Sequence, residues 1–162
     1  MKKILIVLTA VLVTFAFFSC SSKSETFTVE PFEATVKAKS GDTVMTGRFK
    51  YASPHAMSLT VTEPENIKNL TFAVQDGTDY ILIGSMKTES VPQSAFPAEK
   101  NVIENLFKSM EEVQNGLTVK KNGTEKINCD YKYGKCMITF NTETQKIERI
   151  DAGNFKYSFQ YE

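Results

Sequence analysis

The segment 97-PAEKNVIENLFKSMEEVQN-115 decides how the rest of this chain is read. Val102, Ile103, Leu106, Phe107, Met110 and Val113 follow one another at steps of one, three and four. At about 100° per residue they cover an arc of about 140°, an apolar stripe with charge on the opposite side. Pro97 suits a first helical position, Glu99 complements the positive helix end, and Gly116 suits the stop. Burying these side chains would contribute about 10 kcal/mol, gross. A helix of this length is marginal alone in water, so it must lie on something. What flanks it reads almost entirely as strand.

On the amino-terminal side, Gly84 to Phe96 reads as a loop of small and polar residues with Met86, Val91 and Phe96 set in it. Before it come strands joined by turns. Phe27 to Ala38 starts the sheet: Phe32, Ala34, Val36 and Ala38 alternate with Glu33, Thr35 and Lys37, and Pro31 marks an edge or a bend. Met45, Gly47, Phe49 and Tyr51 continue the pattern, then Met57, Leu59 and Val61, then Leu70, Phe72 and Val74. Asp76-Gly77 is a strong hairpin signal, since both residues tolerate positive φ, and Tyr80 to Ile83 makes a fifth strand. Beyond Gly116 the strands resume with Leu117 and Val119, Ile127 to Tyr131, Cys136 to Phe140, and Ile147 with Ile150. The last alternates Phe155, Tyr157, Phe159 and Tyr161 with Lys156, Ser158 and Gln160. No repeat or low-complexity linker interrupts the pattern, so residues 27–162 are expected to form one domain. The expected class is α+β, mostly β: a curved antiparallel sheet of about ten strands, a half-open barrel wrapped around one amphipathic helix.

The 162 residues are ordinary for a globular protein, with 41% hydrophobic and 23% charged residues. Twelve Phe and six Tyr with no Trp favour strands. No basic stripe appears, which excludes the usual nucleic-acid binders. Residues 1–19 read as a secretory signal: Lys2 and Lys3 precede an apolar run, Ile4 to Phe18, too short for an ordinary membrane span. Removing them leaves 17 basic against 19 acidic residues, a net charge of −2.

The run ends Phe17-Phe18-Ser19-Cys20-Ser21-Ser22, which resembles the lipobox of bacterial lipoproteins. Ser19 fits the small residue before the cysteine, while Phe17 and Phe18 are bulkier than the usual pattern. The resemblance implies that Cys20 is acylated after cleavage, with 20–26 as lipidated cysteine and polar tether. The chain would then sit extracytoplasmically, its acyl chains in the bacterial cell membrane. The other readings are an ordinary signal peptide cleaved nearby and an uncleaved anchor.

A second resemblance covers the folded part. The run Gly47 to Leu82, GRFKYASPHAMSLTVTEPENIKNLTFAVQDGTDYIL, is similar to the lipoprotein-carrier family of LolA and LolB and to lipidated proteins of the LppX type. Shared features are Gly47 two residues before an aromatic strand residue, Pro54 in the next turn, Pro64 about ten residues on, and Asp76-Gly77 before Tyr80. The order of elements matches over residues 27–161. The family's sheet and helix enclose an apolar cavity for acyl chains. Here Ser53 stands where the soluble shuttle has an arginine, and no leading helix follows the tether, so a membrane-anchored relative is the better match.

If a cavity exists, its wall would come from Met45, Phe49 and Tyr51, from Met57 and Leu59, from Phe72 and Tyr80, and from Phe155, Phe159 and Tyr161, with Phe107 and Met110 on the helix. Met and Phe suit an adaptable pocket. A packed core with no cavity explains the same stripe. Cys129 and Cys136 flank a hairpin that places them opposite one another, within disulfide reach. Either they pair, as an extracytoplasmic location allows, or they remain two thiols in a reducing habitat. His55 is the only histidine, so neither a metal site nor a nucleophile–base pair is expected, and no phosphate-binding loop or cofactor motif is present. The function expected is therefore non-catalytic. It is either a lipid-anchored protein that binds or passes on a lipid or other hydrophobic ligand, or an envelope interaction protein with a filled core.

Overall fold

A computed structural model describes residues 24–27, 29–89, 96–113, 117–120, 123–131 and 134–162. Cys20 and the apolar run before it lie outside these residues, as do Val91, Gly116, Lys132 and Tyr133. The strands are β1 (Ser24–Phe27), β2 (Phe32–Ser40), β3 (Thr43–Ser53), β4 (Ala56–Glu63), β5 (Leu70–Gln75), β6 (Thr78–Ile83) and β7 (Met86–Thr88). Helix α1 (Pro97–Val113) follows, then β8 (Leu117–Lys120), β9 (Thr124–Tyr131), β10 (Gly134–Asn141), β11 (Lys146–Ala152) and β12 (Phe155–Gln160).

Ten strands form one sheet in the order β7-β6-β5-β4-β3-β2-β12-β11-β10-β9, every neighbouring pair antiparallel. Two meanders, β2–β7 and β9–β12, are joined where β12 pairs with β2. The sheet does not close, since β7 and β9 are its two edges. A separate ribbon pairs β1 with β8.

Strand alternation fixes which face is buried. Ala34, Val36 and Ala38 of β2 point the same way as Met45, Phe49 and Tyr51 of β3, Met57, Leu59 and Val61 of β4, and Tyr157 and Phe159 of β12, and all are buried. The opposite face carries Glu33, Lys37, Lys50 and Lys156, where Glu33 meets Lys50 across the ladder at 2.7 Å. The apolar face curls around α1, whose Val102, Ile103, Leu106, Phe107, Met110 and Val113 are at most 6% exposed. The helix touches β2, β3, β9, β11 and β12. The hydroxyl of the fully buried Tyr157 donates to the Val102 carbonyl at 2.8 Å, which fixes the first turns of the helix to β12.

The structure corrects four expectations. Met86, expected in a loop, opens β7, which pairs with β6 through a turn at Gly84 (φ 61°). The helix accordingly follows the seventh strand, not the fifth. Ser24 and Glu25, read as tether, belong to β1. The stretch Phe27 to Ala38 is two strands, parted at Pro31. The Asp76-Gly77 turn has positive φ at both residues, 53° and 77°, as its hairpin reading requires.

Gly47 is where β3 and β4 shift register, and a Cβ there would lie 2.8 Å from the Thr60 carbonyl oxygen and 2.9 Å from Leu59 Cδ1. Because one obstacle is backbone, the strands must part to admit a methyl group. Gly47→Ala is expected to lower the unfolding free energy by about 1–3 kcal/mol, measured by urea denaturation.

Candidate ligand cleft

The residues named as cavity wall do not line one space. Met45, Phe49, Leu59 and Met110 are at most 2% exposed and belong to the packed centre between sheet and helix. Phe159 sits among aromatic rings, 6.1 Å from both Phe32 and Phe49. Phe32 also stacks on Tyr51 at 5.5 Å, and Phe49 lies 6.3 Å from Phe107. Such contacts stabilise beyond area burial alone. Tyr51 and Met57 border a wide groove at one end of the sheet, and Phe155 a hollow beside Asn101 and Lys108.

Phe72 and Phe107 are brought together. They form the floor of a cleft of about 220 Å³ between α1 and strands β5 and β6, completed by Ile81 and Ile103. Tyr80 borders it too, but as the partner of Ala73 it belongs to the face opposite Phe72 and Ile81. Its ring instead supports Lys87, whose Nζ lies 3.4 Å from the ring centroid. Sheet walls this hollow on one side and helix on the other, so an apolar group inside is shielded from water on two faces.

Charge rims the opening. Lys100 Nζ is 3.5 Å from Glu104 Oε1 one helical turn on, and Asp79 and Glu89 face them from the β6–β7 side. The acidic margin extends down the helix to Glu111, whose carboxyl is raised by partial burial; His55 and Lys108 pull it back down, while Asp79 and Glu112 raise it further. The exposed His55 therefore acts on a helix carboxylate from the β3–β4 turn.

Three features of this region had no signal in hydropathy. Tyr157 bonds the helix rather than lining a cavity. Asn105 and Ser109 are buried on α1, yet both are satisfied locally: Asn105 Nδ2 donates to Asn101 O at 2.9 Å, and Ser109 Oγ donates to Asn105 O at 2.7 Å. Among the described residues no group of His, Cys, Asp and Glu is arranged to hold a metal ion, and no helix is long and apolar enough to cross a membrane.

Cys129 and Cys136 are opposed in the β9–β10 ladder, their Cα atoms 5.1 Å apart, at disulfide distance. At the other end of the sheet Tyr161 donates its hydroxyl to the Ile147 carbonyl at 2.8 Å, and Lys146 Nζ lies 4.5 Å from its ring centroid.

No protein-family model matches the chain, and no curated protein does. Among solved structures it is similar to a LolA superfamily protein from Nitrosomonas europaea, at 8% identity and a TM-score of 0.38, covering 84% of this chain and 86% of that one. It is also similar to an uncharacterized conserved protein from Thermus thermophilus, at 7% identity and a TM-score of 0.45, covering 81% and 76%.

Two outcomes follow for stability. With the Cys129–Cys136 bond formed, non-reducing alkylation leaves both residues unmodified, and the double Cys→Ser variant loses about 2.5 kcal/mol in urea unfolding. Burial raises the Tyr161 phenol above its ordinary value of 10.0, so folding favours the neutral form. The stability this contributes is fully present below pH 10 and is lost as pH rises beyond it. Tyr161→Phe should be less stable than wild type by about 1 kcal/mol at neutral pH. Measured between pH 9 and 12, its stability should fall less steeply with pH than that of the wild type.

Proposed function

We propose that this chain is a membrane-anchored extracytoplasmic lipoprotein that binds a lipid or other hydrophobic molecule in the cleft between α1 and β5–β6, without catalysing a reaction on it. One observation carries the reading: Phe72, Ile81, Ile103 and Phe107, from two strands and the helix, meet in a hollow that they do not fill. A methylene placed there leaves water with a gain of about 0.8 kcal/mol. The rim carboxylates hold a polar head at the mouth, outside the apolar floor. The segment before Cys20 supports the location, since an apolar run ending in Ser-Cys suits signal cleavage and acylation. Acyl chains at Cys20 and the short tether after it keep the cleft close to a bilayer, from which a hydrophobic ligand partitions.

Native mass spectrometry of the full-length protein, released from membranes, should show a non-covalent adduct of lipid mass, and the protein should take up Nile red. Ile103→Trp, which fills the cleft, should abolish both while the circular dichroism spectrum stays that of a folded sheet. Metabolic labelling with an alkyne fatty acid should mark the wild type and not Cys20→Ser. A wild-type protein with neither adduct nor dye uptake would overturn the binding reading.

A further inference from the structure

We propose that the cleft selects a single-chain amphiphile with a positively charged head group, an inference that rests on the binding reading above. Its size argues for one chain. Sites for drug-sized ligands span about 300–1,000 Å³, whereas this cleft offers about 220 Å³, room for one alkyl end and not for two side by side. The four apolar floor residues leave no buried polar group for a head to reach, so the head stays at the mouth.

The charges at that mouth decide its sign. Three carboxylates, Asp79, Glu89 and Glu104, face one ammonium, Lys100. Lys100 is already paired with Glu104 along the helix. Lys87 is held over the Tyr80 ring, on the face opposite Phe72 and Ile81, with Nζ 3.3 Å from Gln75 Oε1. Among the described residues Asp79 and Glu89 have no basic partner. An anionic head would meet two carboxylates with no free cation beside them, whereas a cationic head completes two ion pairs. Partly exposed pairs of this kind contribute little singly, so together they are worth about a fivefold preference.

The test uses full-length protein in phosphatidylcholine nanodiscs, whose surface has no net charge. It is photolysed at low ionic strength with three dodecyl diazirine probes that bear a trimethylammonium, a carboxylate or a hydroxyl head. Peptides containing Ile103 and Phe107 should be labelled about fivefold more by the ammonium probe than by the carboxylate probe, and Asp79→Asn with Glu89→Gln should bring the two level. Equal labelling by all three heads, or a preference for carboxylate, overturns the charge selection and leaves a hydrophobic site standing. Absence of cleft labelling by any probe overturns both proposals.

Discussion

Seating the apolar stripe of α1 in the curl of the sheet is the constraint on which the molecule depends. Neither partner is stable without the other: the helix is marginal in water by itself, and an open sheet with one greasy face would expose Met45, Phe49, Leu59, Ile138 and Ile150. The hydrophobic effect has no direction, so burial alone does not fix how the helix lies. Direction comes from Tyr157, whose hydroxyl meets one carbonyl of the first helical turns. Asn105 and Ser109 remove the remaining conflict by bonding within the helix, so the seated face carries no unsatisfied polar atom among the described residues.

The cleft follows from the same packing. Helix α1 meets β2, β3 and β12, and the buried side chains of all four join one core. Toward β5 and β6, Phe72 and Ile81 belong to the same core as Ile103 and Phe107, yet the four leave a space of about 220 Å³ unfilled. A solvated margin with an apolar floor results, and its charged rim comes from three successive elements: β6, the end of β7 and the first turns of α1.

Much of this was readable in the sequence, and the misreadings have physical causes. Strict alternation in β2, β3, β4 and β12 revealed their inner face, because one side of each is wet. In Tyr80-Ile81-Leu82-Ile83 no polar residue breaks the run, so periodicity could not choose between Tyr80 and Ile81, and the burial of Ile81 settles it. Strand β7 is three exposed residues held by backbone bonds to β6, an arrangement without a hydropathy signature. The Cys129–Cys136 register was legible since cross-strand geometry needs only a count from the hairpin loop. The division of the candidate wall into packed centre and marginal cleft was not, because parity tells which face a residue occupies and not how closely the opposite layer approaches.

The place of β12 has a consequence for how the chain is made. This strand, the last in sequence, lies between β2 and β11 and is the sole seam between the two meanders. Until the residues of β12 emerge, the β2–β7 and β9–β11 meanders share no ladder, and the β1–β8 ribbon and the helix are what ties the two halves together. Closure is thus a final, long-range event of high contact order, slow by nature. A chain ending between β11 and Phe155 would leave the edges of β2 and β11 unpaired and open to any neighbouring strand, a substrate for proteases rather than a smaller working protein.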